Sequence, residues 1–199
     1  MTSIATKTAA ARGLRNVEFL TMDAEKLEFP SDNFDVVVSC FGFQIVTQPE
    51  SAAREEYRVL RPGGRAGFTV WSKGERAPAL DVLVEPMLEH ATPDENGYLP
   101  TPYEFGEQGE LANMLNGIGF AGAAEVRVQG TWVADSVEQY LSMLLQGTPL
   151  GHSLSEETEE IQRTVREKAK RNISRYSTST GVSIPVECVI VVASKPVSK

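Results

Sequence analysis

Few side chains in this sequence can move a proton or polarise a bond near neutral pH. His90 and His152 are isolated from each other and from both cysteines, and no C-x-x-C or H-x-x-x-H occurs, so no metal site is expected. His152, among the later helices, is the candidate base, while Gln44 and Tyr98 are candidates for orienting and polarising a ligand. Gln44 cannot itself abstract a proton at neutral pH. Phe43, Trp71, Tyr103, Phe105 and Trp132 are candidates for the walls of a substrate pocket. A pocket of this make-up could promote a cyclisation, isomerisation or elimination by shape and polarisation alone, without a cofactor. Each residue also has a plainer reading: a lone His is usually on the surface, and Phe41 and Phe43 could simply be core.

The elements that must position these groups are legible in the stretch 16–71. Three short runs, at 17–21, 34–39 and 65–70, are rich in β-branched and aromatic residues and bounded by turn residues, which predicts strands. Between the second and third, Ala52, Ala53, Tyr57 and Leu60 recur at helical spacing from Pro49 onward. Strand, helix, strand over that distance is a βαβ unit with a parallel pair and a right-handed crossover. Arg61-Pro62-Gly63-Gly64 ends the helix, since Pro62 cannot continue it and glycine admits the positive φ of a tight turn. Loops past the C-terminal ends of parallel strands line the ligand crevice of such folds, which brings Phe41, Phe43, Gln44 and Trp71 together.

Three segments within this stretch carry a resemblance: Asp23-Ala24-Glu25-Lys26-Leu27, Phe29-Pro30-Ser31-Asp32-Asn33-Phe34-Asp35, and Glu55-Glu56-Tyr57-Arg58-Val59-Leu60-Arg61-Pro62-Gly63-Gly64. In this order and spacing they closely resemble the class I S-adenosylmethionine-dependent methyltransferases of the ubiquinone-biosynthesis-like, small-molecule type. The resemblance covers about residues 10–72 and, loosely, the final strand at 183–195. It implies an α/β fold: a partial Rossmann-like sheet, mostly parallel with an antiparallel last strand, and helices on both faces. It also implies S-adenosylmethionine as cofactor, with Asp23 accepting from the adenine amino group, Ala24 meeting the ring, and Ser39 and Phe41 nearby. A His often stands near the Gln44 position in related enzymes. The family's Gly-rich loop after the first strand, and the acidic residue ending the second, have no counterpart before Val17, and no G-x-G-x-G occurs. The expectation is one truncated methyltransferase-like domain over 1–199, its first two strands missing and its cofactor binding impaired.

From Lys73 to Glu107 the pattern changes to a helix at 79–90 and then a Pro- and Gly-rich loop bearing Tyr98, Tyr103 and Phe105. Such a long aromatic loop reads as a substrate insertion, suited to an aromatic or polyketide-like acceptor. Later elements are a helix at 109–116, a strand at 123–133 and a helix at 137–145 broken by 147–151; a long amphipathic helix from Ser155 to about Tyr176 and a buried final strand at 183–193 follow.

The chain is 199 residues long, 41% hydrophobic and 23% charged, which suits one globular core. Its net charge of −8 argues against nucleic acid and anionic membranes as partners. Without a long apolar run or a secretory signal, and with two cysteines that read as reduced core thiols, a cytoplasmic protein is expected. A strand at 34–39 without its family neighbour would leave an exposed edge, which a homodimer or a complementing chain would cover. Three functions stay open: a methyltransferase acting on a small molecule, a cofactor-independent natural-product enzyme on the same fold, and a non-catalytic subunit.

Overall fold

The computed structural model describes residues 2–91 and 102–197. Helix α1 (Thr2–Ala11) leads through irregular chain to β1 (Phe34–Cys40), α2 (Pro49–Val59) and β2 (Leu60–Trp71). Helices α3 (Pro78–Leu88) and α4 (Glu110–Ile118) precede β3 (Ala121–Ala134). Then come α5 (Val137–Gly147), α6 (Pro149–Ser155), α7 (Glu159–Ser174), β4 (Ser177–Thr178) and β5 (Gly181–Ser194). The sheet runs β1-β2-β5-β3, with short β4 paired to β5. Strands β1 and β2 are parallel, as the βαβ reading predicts, and β5 is antiparallel to β2, β3 and β4. The sheet is therefore mixed.

Register assigns each residue to a face. Ser39, Phe68 and Val191 are aligned across three strands, and Val37, Ala66 and Ala193 share their side. This face is covered by α2 and α4, whose Ala52, Ala53, Leu111 and Leu115 bury Phe68, Val70, Val189 and Val191 almost completely. Burying one such Phe or Leu is worth about 1.5–3 kcal/mol. The opposite face is divided. Where β3 and β5 extend beyond β2, Val182, Ile184 and Val186 are packed under α3, α5, α6 and α7, forming a second core. Where all four long strands run together, the same face carries Val36, Val38, Val126, Val128 and Val192, all exposed.

Three expectations are corrected. The run 17–21 is not a strand: Val17, Phe19 and Leu20 are exposed, and no strand of the described residues lies beside them to supply the ladder that a strand requires. The break at 147–151 holds helix α6, because Pro149 sits in its first turn, where a missing N–H costs nothing. Gly151 lets this helix touch the end of α5, since a Cβ there would stand 1.8 Å from the Leu145 carbonyl oxygen. Cys40 is exposed rather than core, at the end of β1 on the open side.

Capping explains the remaining boundaries. The Ser136 hydroxyl accepts the Gln139 N–H at the start of α5. Thr158, rather than Ser155, caps α7 by accepting from Ile161. At the end of α2 the Lys195 ammonium donates to the carbonyls of Tyr57 and Arg58 and to Asp32, at 3.0, 3.5 and 2.7 Å. A cation there satisfies the last helical acceptors and opposes the negative end of the helix dipole.

Candidate functional site

The parallel strands β1 and β2 end against the helices of the second core, and a cavity of about 710 Å³ lies between them. Phe41, one residue past β1, has φ +55 and donates its backbone N–H to Thr69 of β2 at 2.8 Å. A positive φ is unusual for an aromatic residue. Here it accompanies a ring stacked on Trp71, with centroids 3.9 Å apart at 19°. Trp132 of β3 meets Trp71 edge-on at 5.4 Å. Leu80, Val84 and Met87 of α3, Leu150 and Leu154 of α6, and Ile161 and Val165 of α7 complete an apolar lining.

Gln44, His90, Thr148, Ser153 and Glu157 break that lining, and two of them carry unmatched atoms. The Gln44 Nε2 donates to the Pro102 carbonyl, which fixes the amide and leaves Oε1 buried with no partner among the described residues. His90, just beyond α3, also lines the cavity, and its Nε2 is likewise buried without a partner. A buried polar atom left unmatched costs about 1–3 kcal/mol, so two at one cavity call for an explanation.

Trp71 is held from behind by a buried polar cluster. Ser72 is fully buried; its hydroxyl donates to Glu187 Oε1 at 2.6 Å and accepts from Arg127 Nη1 at 2.7 Å. Arg127 also donates to Glu187 at 3.1 Å and to the Gly106 carbonyl at 3.3 Å, and pairs with Glu125 at 3.2 Å. The Ser72 hydroxyl first, and then Arg127, hold the Glu187 carboxyl below the usual range. Every charge is paired, so this cluster positions the β2 end and the chain at 106 rather than offering a reactive group.

The structure gathers some of the sequence-predicted residues and disperses others. Phe41, Gln44, Trp71 and Trp132 meet at the cavity. Phe43 is core, stacked on Phe68 at 5.2 Å, and Phe105 packs beside it. Tyr103 is buried in the second core, its hydroxyl donating to Asp81 at 3.2 Å; burial, then the nearby Asp81 charge, raise the phenol's pKa. His152 stands on the outside of α6 with its side chain 81% exposed, beside Glu156, and is not part of the cavity lining. Tyr98 lies outside the described residues. His90 was missed: the sequence shows it only as an isolated residue, although its place at the end of the helix opening the 73–107 insertion was the available signal.

Of the residues that the resemblance assigns to the cofactor, Asp23 is exposed and turns Oδ1 onto the Glu25 N–H at 2.9 Å, closing a local turn. Ala24 packs against the core of the covered face. Ser39 points to that same face, toward the buried Glu56 of α2.

Comparison with known proteins agrees with this geometry. Residues 1–68 match the family described as "Methyltransferase domain". A ubiquinone/menaquinone biosynthesis C-methyltransferase UbiE of Azotobacter vinelandii is 48% identical over 62 residues, 31% of this chain and 24% of that one. The UbiE of Bartonella henselae is 32% identical over 133 residues, 61% of this chain and 51% of that one. The chain thus spans about a quarter to a half of the length of these curated relatives. Among solved structures, a candidate methyltransferase from Bacillus halodurans C-125 superposes with a TM-score of 0.61 at 19% identity, over 98% of this chain and 78% of that one. The [4+2]-cyclase SpnF superposes with a TM-score of 0.57 at 22% identity, over 99% and 64%. The chain has the class I methyltransferase fold.

Within that methyltransferase fold, the signature residues act as fasteners. Glu55 accepts the Leu27 N–H at 2.8 Å and pairs with Arg58 at 2.7 Å. Arg58 in turn donates to the carbonyls of Leu27 and Phe29, at 2.9 and 2.8 Å. Helix α2 thereby holds the segment that follows Asp23 and Ala24. S-adenosylmethionine fits these residues in part: the turn at Asp23 and Ala24 offers an exposed carboxylate and backbone for an adenine edge. Ser39 points to the covered face, beside Glu56. The described residues offer no glycine-rich turn after a strand for the methionine end.

Proposed function

We propose that the cavity between the β1–β2 ends and α3, α6 and α7 receives a small, flat, largely apolar acceptor for methyl transfer from S-adenosylmethionine. The observation that carries this reading is the position of the Phe41–Trp71 stack: it closes the cavity just past the C-terminal ends of the parallel strands, where this class of fold binds its ligands. When bound, S-adenosylmethionine supplies the electrophilic methyl group. This chain's residues hold and orient the acceptor: Phe41, Trp71 and Trp132 together form one aromatic wall for a ring to lie against, and the apolar helices exclude water around it. Fixing two reactants in line is the larger part of catalysis for a direct displacement. The names of the UbiE relatives support a small-molecule acceptor and transfer to carbon, although those relatives match less than two thirds of their own length. Calorimetric titration with S-adenosylmethionine and S-adenosylhomocysteine tests the reading. Saturable heat, reduced by Phe41→Ala, is expected; no heat from either compound would overturn it.

A second reading keeps the cavity and drops the methyl donor. The same fold carries a [4+2]-cyclase in SpnF, and an aromatic-walled cavity suits the folding of an unsaturated chain into a reactive conformation. Turnover of a polyene substrate with no added methyl donor would favour it over the first.

A further inference from the structure

The sheet ends in β1 on one side and β3 on the other, and these two edges are built differently. On β3 the charged Glu125 and Arg127 are turned toward the covered face, and the register slips between Ala121 and Ala124, where Gly122 has φ +66. Inward charges and register breaks are devices that keep a sheet edge from pairing. Strand β1 has no such device beyond its start. From Val36 to Cys40 it keeps unbroken register with β2 and holds no charge, proline or glycine. Phe41 donates its N–H to Thr69 of β2, and the main-chain groups of alternate residues point to opposite edges. Those of Val36 and Val38 therefore point away from β2, and no described residue bonds to them.

We propose that this edge pairs with a second copy of the chain: two β1 strands run antiparallel about a twofold axis at Val37 and join two sheets into one. The strand is complementary to itself in that register. Val36 of one protomer lies opposite the partner's Val38, and Val38 opposite the partner's Val36. Both members of each pair point outward, so each pair exchanges both main-chain hydrogen bonds and sets valine beside valine on the open face. Charge permits this although each chain carries a net −8. Asp35 is the single charged residue of the strand; it is paired with its own Arg61, and it lies opposite the partner's Ser39 rather than the partner's Asp35. Each molecule has one β1, so the assembly closes at two. The paired strand leads into Phe41, so pairing braces the strand that carries the aromatic wall of the cavity. None of this depends on what the cavity binds.

Sedimentation velocity over a concentration series reaching ~200 μM tests the proposal. Reducing buffer keeps the exposed Cys40 from cross-linking two molecules. A reversible monomer–dimer equilibrium is expected, with a dissociation constant on the order of 10 μM, as suits an interface at the small end of the range. Val38→Pro removes an outward N–H, a change that an edge strand tolerates, and Val38→Lys sets an ammonium beside the axis. Either change occurs twice across the axis and should raise the dissociation constant at least ~10-fold. Val128→Lys, at an exposed valine of the same face but on β3, should shift it less than ~3-fold. Far-ultraviolet circular dichroism and a cooperative melt identify folded variants; if Val38→Pro does not fold, Val38→Lys decides alone. A monomer throughout the series would overturn the proposal, as would an assembly of more than two copies or undiminished association in the folded Val38 variants. Equal weakening by Val128→Lys would also overturn it, because the open faces would then be stacking in place of the edges.

Discussion

The two faces of the sheet are made of similar residues and have different surroundings. On one, Phe68, Val70, Val189 and Val191 are at most 1% exposed beneath α2 and α4. On the other, at the same strand levels, Val38 is 62% exposed and Val126 is 59%. The alternation of side chains is equally apolar on both, so sequence pattern alone does not decide which face is covered. What decides it is which helices the connections carry to each side: α2 and α4 pack on one face, and α3 and α5–α7 cover only the far end of the other.

Substitutions can break or sharpen that contrast. The largest effect is expected at Phe68, in the centre of the covered face. Phe68→Ala should cost about 3–5 kcal/mol in denaturant unfolding. A loss under about 1 kcal/mol would mean that α2 and α4 do not pack there as described.

Glu56 lies on the same side, inside α2, with Oε2 buried and unmatched. Burial pushes its carboxyl up to about 7 against a weaker opposing hydrogen bond from Ser39. The folded protein therefore keeps a proton that the unfolded chain releases near 4.5. Stability is fullest below that value, falls as pH rises toward about 7 and levels off beyond it. The span corresponds to about 3 kcal/mol at most. Glu56→Gln should abolish this slope and raise the melting temperature at pH ~8. An unchanged slope would show that the carboxyl is solvated.

Arg58 fastens the segment leading into β1 through two carbonyls and Glu55. Arg58→Met should lower the denaturant midpoint by less than Phe68→Ala does, since this side chain is partly exposed and solvent screens its bonds. Faster proteolysis between Glu18 and Lys26 should accompany it. The smallest effect is expected on the open face: Val126→Thr should change stability by no more than about 0.5 kcal/mol. A loss several times larger would show that another polypeptide surface covers these valines.

The sequence disclosed the frame better than the site. Strands β1 and β2 and helix α2 were legible because Val36-Val37-Val38, Ala52, Ala53 and Tyr57 follow the periods that backbone geometry imposes. The run at 17–21 shows the same composition but has no ladder partner, and ladder partners are a tertiary property. Gly147, Pro149 and Gly151 look like helix breakers in isolation, whereas each finds a tolerated place around α6. At the site, the strand-end rule located Phe41, Gln44 and Trp71, and could not tell that Phe43, two residues on, turns into the core. His90 was passed over although it ends the helix that opens the insertion: a lone imidazole carries little weight until its nitrogen is found buried with nothing to bond.

The strand order has a consequence for synthesis. Strand β5 lies between β2 and β3 and follows both of them in the chain. A growing polypeptide short of Gly181 can hold only the β1–β2 pair, which carries Phe68 and Val70, while β3 with Trp132 has no strand partner among the described residues. The tryptophan pair at the cavity can meet only after β5 has joined the strands that carry them. Maturation of the pocket is thus tied to the insertion of β5, and a folding block that traps this strand would keep the two tryptophans apart.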